Sequence, residues 1–274
     1  MRSWQPGPAW LFCPADRPDR FAKALERADV AILDLEDAVA PGRKAAAREA
    51  LAAYTGYDGQ RMIVRLNPAG SPEHDRDLDL VAALGITRVM LAKAQTPADL
   101  AGLAGCEVIV LLETPAGVVN ARELLAADPV IGAMWGAEDL VAGLGGTASR
   151  DADGHYRPVA VHAQSTTLLA AKAAGKLAID AVHLAITDHA GLGRESADAA
   201  ACGFDAKALI HPGHVPIVRA AFAPTAEQLA WARRILAATA EHGEGVFALD
   251  ELMVDGPIVA QARRLIARVP TPPA

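Results

Sequence analysis

Cysteine is scarce in this 274-residue chain: Cys13, Cys106 and Cys202 are odd in number, far apart and set beside apolar residues. That usage argues against a disulfide framework and a thiolate zinc site, and fits buried reduced thiols in a cytoplasmic setting. No run of about eighteen apolar residues occurs, and residues 1–8 carry one positive charge without an apolar stretch behind it, so neither membrane insertion nor secretion is expected. Basic blocks are missing too. With 26 Lys and Arg against 33 Asp and Glu, the net charge of −7 provides no surface for a phosphate backbone, and nucleic acid is not an expected partner. The histidines show no HxH or HExxH spacing, no GxSxG nucleophile turn appears, and no glycine fingerprint follows the first strand. Gly143-Leu-Gly145-Gly146 comes too late and lacks the spacing, so it reads as a loop.

What the chain does have is apolar residues, 52% of the total, in a recurrent pattern. Short strand-like runs stand at 10–13, 30–35, 62–66, 88–92, 108–112, 133–136, 181–186 and 206–210. Between most of them lie Ala-rich segments with apolar residues three and four apart, at 20–27, 42–54, 75–84, 96–103, 118–127 and 157–174. Nearly all-apolar strands separated by helices imply a parallel sheet covered on its outer face. Eight such units close into a (β/α)8 TIM barrel, spanning 1–220. Residues 221–274 exceed the barrel's needs. A helix near 227–239, a strand-like piece at 246–248 and a last helix near 257–268 predict a C-terminal helical extension that serves as a lid and contacts a neighbouring subunit. Pro270–Ala274 reads as a frayed tail.

Polar residues gather where the apolar runs end, and in a parallel barrel those ends share one face. Asp34, Glu36 and Asp37 close the second run, Arg65 and Asn67 the third, Lys93 the fourth, Glu113 the fifth, Glu138 and Asp139 the sixth, and His211 the eighth. Carboxylates crowded together repel unless a cation is shared, and Mg2+ accepts two protein carboxylates while leaving positions for substrate oxygens. Glu113 and Asp139 are the candidate ligands; pairing with Arg65 and Lys93 in a metal-free ion network is the alternative. His211 reads as bonded to backbone, and Cys13 as a buried thiol. Arg17 and Arg20, at the loop and helix start after the first run, suit an anion such as a phosphate-bearing tail, or else pair with Asp16 and Asp19.

Several stretches, taken in order, resemble the HpcH/HpaI aldolase superfamily, and most closely its citrate lyase β-subunit-like branch. They are Pro14-Ala-Asp-Arg-Pro-Asp-Arg20-Phe-Ala-Lys-Ala-Leu25, Ile32-Leu-Asp-Leu-Glu-Asp-Ala-Val39, Val64-Arg-Leu-Asn67, Leu112-Glu-Thr-Pro-Ala-Gly117, Trp135-Gly-Ala-Glu-Asp-Leu140 and Ile210-His-Pro212. The resemblance implies a trimer or hexamer that binds Mg2+ and makes or breaks a carbon–carbon bond beside a carbonyl. It implies Glu113 and Asp139 as metal ligands, Arg65 on the substrate oxygens, and Asp255 as an acid supplied from a neighbouring subunit's lid. Arg17 and Lys23 fall in the stretch that faces coenzyme A or a carrier phosphopantetheine, and Glu36 and Asp37 are counted with the substrate-binding residues. The expected reaction is cleavage of a 3-hydroxyacyl-CoA thioester to acetyl-CoA and a 2-oxo acid or ketone. Alternatives are a citryl-thioester lyase subunit, a malyl-CoA thioesterase and a non-catalytic barrel that binds CoA or organic acids. Two departures stand out. Ala92 replaces the proline usual before Lys93, which argues against a role for the backbone there, and Gly213-His214 follows Ile-His-Pro, placing His214 where it can contact a ligand.

Overall fold

The computed structural model of the protein describes Trp4 and residues 6–243 and 245–269; the expected tail at Pro270–Ala274 lies outside them. The chain runs β1 (Ala9–Pro14), α1 (Phe21–Arg27), β2 (Val30–Asp34), α2 (Lys44–Ala52), β3 (Met62–Leu66), α3 (Pro72–Leu84), β4 (Arg88–Leu91) and β5 (Glu107–Leu112). It continues α4 (Pro115–Val119), α5 (Ala121–Ala126), β6 (Val130–Trp135), α6 (Ala137–Gly143), α7 (Pro158–Ala173), β7 (Leu177–Asp180), α8 (His189–Cys202), β8 (Ala206–Leu209) and α9 (Val215–Phe222). Strands β1 to β8 are parallel, and β1 pairs with β8 through Ala9↔Lys207, Trp10↔Ala208 and Leu11↔Leu209, which closes the barrel. Alternate residues of each strand face the axis. Trp10, Val30, Ile32, Ile63, Met90, Ile109, Leu111, Met134, Ile179, Ala206 and Ala208 form that axial core, while Leu33, Leu66 and Leu112, of opposite parity, are buried under the helices.

Local chemistry sets both ends of α3. Ser71 caps α3 by accepting the His74 amide, and Gly85 in the left-handed region ends it. The structure departs from the sequence expectations at four places. The seventh strand is 177–180, not 181–186: Gly175 (φ 68°) ends the helical stretch and the chain enters β7 two residues later. The apolar run that follows passes beyond the rim, leaving Leu184 and Ile186 exposed. The helix expected over 96–103 is one 3-10 turn, Pro97–Leu100, because Gly102 (φ 82°) turns the chain away. The segment 118–127 lies in two short helices that meet at Asn120, and α8, between β7 and β8, had no counterpart in the reading.

The chain divides into two compact units, Met1–Val218 and Arg219–Ala274. In the second, α10 (Ala226–His242) begins with a capping box between Thr225 and Gln228. The antiparallel strands β9 (Phe247–Leu249) and β10 (Leu252–Val254) lead to α11 (Gly256–Ala267). Ala232, Ile235, Val254, Val259 and Ala262 form its own apolar core. Asp255 caps α11 by accepting the Ile258 amide at 3.3 Å. No helix among the described residues is long and apolar enough to cross a membrane.

Candidate active site at the carboxyl ends of the strands

Strand alternation decides which polar residues overlie the axial core. Asp34, Arg65 and Glu113 stand two positions beyond Ile32, Ile63 and Leu111, so they face the same way. Asp34 and Arg65 are also direct register partners on β2 and β3. Their side chains form a bidentate pair, with Arg65 Nε donating to Asp34 Oδ1 at 2.7 Å and Nη2 to Oδ2 at 2.5 Å. Nη1 lies 3.2 Å from Glu36 Oε2, and the guanidinium sits 4.7 Å from the Phe12 ring centroid. Burial works against the Arg65 charge, but Asp34 and Glu36 more than offset it and raise its pKa. One edge of the guanidinium is therefore committed to Asp34, while Nη1 meets Glu36 and keeps a second N–H for a substrate.

The loop after β2 is pinned from below. Asp34 accepts the Glu36 and Ala38 amides at 2.8 and 3.1 Å. Lys44 Nζ donates to the carbonyls of Leu35 and Glu36 and to Asn67 Oδ1, at 2.7 to 2.8 Å. Asn67 in turn donates to Asp77 Oδ2 at 2.7 Å. These contacts deliver Glu36 and Asp37 to Lys93, whose Nζ bonds Glu36 Oε1, lies 2.9 Å from Asp37 Oδ2 and 3.3 Å from Asp139 Oδ1. Burial raises the Glu36 pKa. For Asp37 burial pushes the same way but loses to the hydrogen bonds with Lys93 and Glu36, and its pKa falls.

Glu113 directly follows β5 and is 3% exposed. Its Oε1 accepts the Lys93 amide at 3.1 Å. Gly136, at the end of β6, makes room for it: a Cβ there would lie 2.9 Å from both Glu113 Cβ and Oε2. Burial, with Asp139 and Glu36 adding to it, pushes the Glu113 carboxyl up to about 8, although Arg65 and Lys93 pull it down. Asp139 follows Gly136 by three residues, in the first turn of α6, with its side chain partly open to solvent.

The donor set fits an oxygen-seeking divalent ion. Glu113 is a buried carboxyl whose charged form is disfavoured by burial and by Asp139, and a dication held by these two residues removes both penalties. Two carboxylates with one side open to solvent is a magnesium-like arrangement. Elsewhere, Asp151, Asp153 and His155 lie within mutual reach, but all three are exposed on a separate loop, where such groups are common without an ion.

The ion-network alternative is realised only in part, since Lys93 meets Asp139 while Arg65 turns to Asp34 and Glu36. Arg17 pairs with Asp19, Nε to Oδ1 at 3.0 Å, and Lys23 is exposed on α1. Arg43, not Arg17 or Arg20, reaches Asp16, at 3.2 Å. His211 Nδ1 accepts the Gly213 amide at 3.1 Å, so its backbone partner is a donor rather than a carbonyl. His214 is fully buried with Nε2 3.0 Å from the Ile186 carbonyl oxygen, which removes it from ligand contact. Cys13 is buried, and burial pushes its thiol up to about 11, but Cys106 is only half-buried and Cys202 is exposed, so the expectation of three buried thiols holds for Cys13 alone. The expectation about the backbone near Lys93 is overturned, because that amide bonds Glu113. Sequence reading assigned no role to Asp34, Lys44, Asn67 or this amide. Strand parity was the available signal for Asp34, whereas a main-chain donor leaves none.

The model of the HpcH/HpaI aldolase/citrate lyase family matches residues 9–212. The citrate lyase subunit beta-like protein of Mycobacterium tuberculosis is 54% identical over 262 residues, covering 96% of this chain and 95% of that protein. The mitochondrial citramalyl-CoA lyase of Rattus norvegicus is 30% identical over 293 residues, covering 95% and 85%. Among solved structures, protein CitE from M. tuberculosis in complex with magnesium, acetoacetate and coenzyme A superposes with a TM-score of 0.93 at 53% identity, covering 98% of this chain and 99% of that one. With the barrel, the carboxylate rim and these matches in agreement, the chain belongs to the HpcH/HpaI aldolase/citrate lyase family.

Proposed function

We propose that this protein is a Mg2+-dependent carbon–carbon lyase that cleaves a 3-hydroxyacyl-CoA thioester of the malyl, citramalyl or hydroxymethylglutaryl type to acetyl-CoA and a 2-oxo acid or ketone. The observation that carries the reading is the meeting of buried Glu113, Asp139 and the Nη1 edge of Arg65 on one rim, in a chain whose relative CitE binds magnesium and coenzyme A. Glu113 and Asp139 hold the ion, which supplies Lewis-acid polarisation of substrate oxygens. When the carbon–carbon bond breaks, its electron pair moves onto the acetyl thioester as an enolate, and Arg65 Nη1 faces the developing negative charge. Asp34 fixes the opposite edge of the guanidinium, so little reorganisation is needed at that moment. Asp255, from the C-terminal unit of a neighbouring subunit in a trimer or hexamer, takes the hydroxyl proton and returns it to the enolate carbon. Arg17 and Lys23 lie along the path of the CoA phosphates, while Glu36 and Asp37 border the acyl end.

The test is to assay the purified protein with Mg2+ and malyl-, citramalyl-, citryl- and 3-hydroxy-3-methylglutaryl-CoA. Acetyl-CoA and an oxo product should form, and both should disappear on chelation and in Glu113→Ala. Free CoA released without carbon–carbon cleavage would make the protein a thioesterase. Turnover only on a carrier-bound citryl group would make it a citrate lyase subunit, and metal binding with no turnover would leave a binding barrel.

A further inference from the structure

Lys93 is held in the left-handed backbone region, φ 52°, just beyond the end of β4. Lysine has no short polar side chain to favour that conformation locally, as asparagine or aspartate has, so something else must hold it. On one side its ammonium is fixed by Glu36, Asp37 and Asp139. On the other, the carbonyl oxygen of Ala94 presses against Gly117 so closely that any Cβ at 117 would overlap it. Gly117 is itself seated by its amide, which donates to Thr114 Oγ1 at 3.0 Å. Between these anchors the Lys93 N–H meets Glu113 Oε1 at 3.1 Å. Relaxing φ at position 93, with β4 before it and the Ala94–Gly117 contact after it, would rotate the peptide plane that carries this N–H away from the carboxylate.

We propose that Lys93 is a positioning residue for Glu113: the left-handed turn aims its amide at the carboxylate, and the ion pairs of its ammonium hold the turn. The proposal rests on the reading that Glu113 and Asp139 bind a divalent cation. It predicts that the side chain matters through the backbone, so that deleting the ammonium is harmful only while a Cβ remains to disfavour positive φ.

Mn2+ binding to the full-length protein, followed by the spin-resonance signal of the free ion, tests this with Lys93→Ala, Lys93→Gly, Lys93→Arg and Glu113→Gln, and kcat and KM are taken at saturating metal. Lys93→Ala should weaken Mn2+ binding by roughly tenfold or more, as losses outside the ligand shell commonly do. Lys93→Gly, equally uncharged but at ease with positive φ, should recover to within about threefold of the parent. Lys93→Arg should stay in the same range. Thermal melting checks each fold, and Lys93→Gln replaces the alanine variant if that chain does not fold. Equal losses in the alanine and glycine variants would overturn the proposal in favour of a charge effect, and no loss in alanine would overturn it outright. Glu113→Gln should lose Mn2+ binding. If it binds Mn2+ as the parent does, the metal reading fails first and takes the proposal with it.

Discussion

Glu113 sits in a space that one missing methyl provides. Gly136→Ala would place a Cβ 2.9 Å from Glu113 Cβ and Oε2, and the carboxylate has to move. Since a displacement of about 1 Å at a reacting centre costs on the order of 100-fold, kcat/KM of the alanine variant should fall by about that factor with the fold intact by circular dichroism. Glu113 also ties stability to pH. Its carboxyl is pushed from 4.5 to about 8 in the folded chain, so between those values the folded state holds a proton that the unfolded state has released. Stability from this group is therefore present below about 4.5 and is lost as pH rises through about 8. Melting curves in excess chelator should show this decline in the parent, and Glu113→Gln should flatten it; parallel pH profiles for the two proteins would contradict it.

At the scale of elements, apolar runs broken by Ala-rich segments revealed the barrel, because burial of parallel strands leaves a strong compositional trace. The ends of those runs marked the rim, and strand parity, a signal the run ends alone do not carry, sets Asp34, Arg65 and Glu113 over the axis. The trace failed where one residue changed the outcome: Gly102 cut a helix to a turn, and the apolar run 181–186 resembled a strand more than 177–180 does. It failed again for contacts with no periodic signature. Asp180 and Lys207 are opposite in parity to axial Ile179, Ala206 and Ala208, so they lie between sheet and helices. There Asp180 accepts from Lys207 Nζ at 2.6 Å, Trp135 Nε1 at 2.7 Å and Gln164 Nε2 at 3.1 Å, joining β6, β7, β8 and α7. Lys207→Met would leave a buried carboxylate without its cation. The expected cost is about 3–5 kcal/mol in urea unfolding, with Mn2+ affinity of the folded protein unchanged because this layer faces away from the axis.

At the scale of the whole molecule, the proposed reaction draws its metal ligands from one unit of the chain and its acid from the other. Asp255 is the N-cap of α11, and asparagine caps a helix as well as aspartate does, so Asp255→Asn removes the acid while preserving the fold around it. This variant should lose turnover but keep Mn2+ binding, whereas Glu113→Ala should lose both. If Asp255 serves a neighbouring subunit, the two inactive proteins should restore each other when unfolded and refolded together. In an equimolar random mixture half of the sites keep Glu113 and half of those meet an intact Asp255, so activity should recover to about one quarter of the parent's. Refolding each variant alone, then mixing, should give none unless subunits exchange. Recovery requires a site shared between chains, because an acid acting within its own chain never meets an intact Glu113 in either variant. An inactive co-refolded mixture would therefore return Asp255 to its own subunit, or leave it only the role of capping α11.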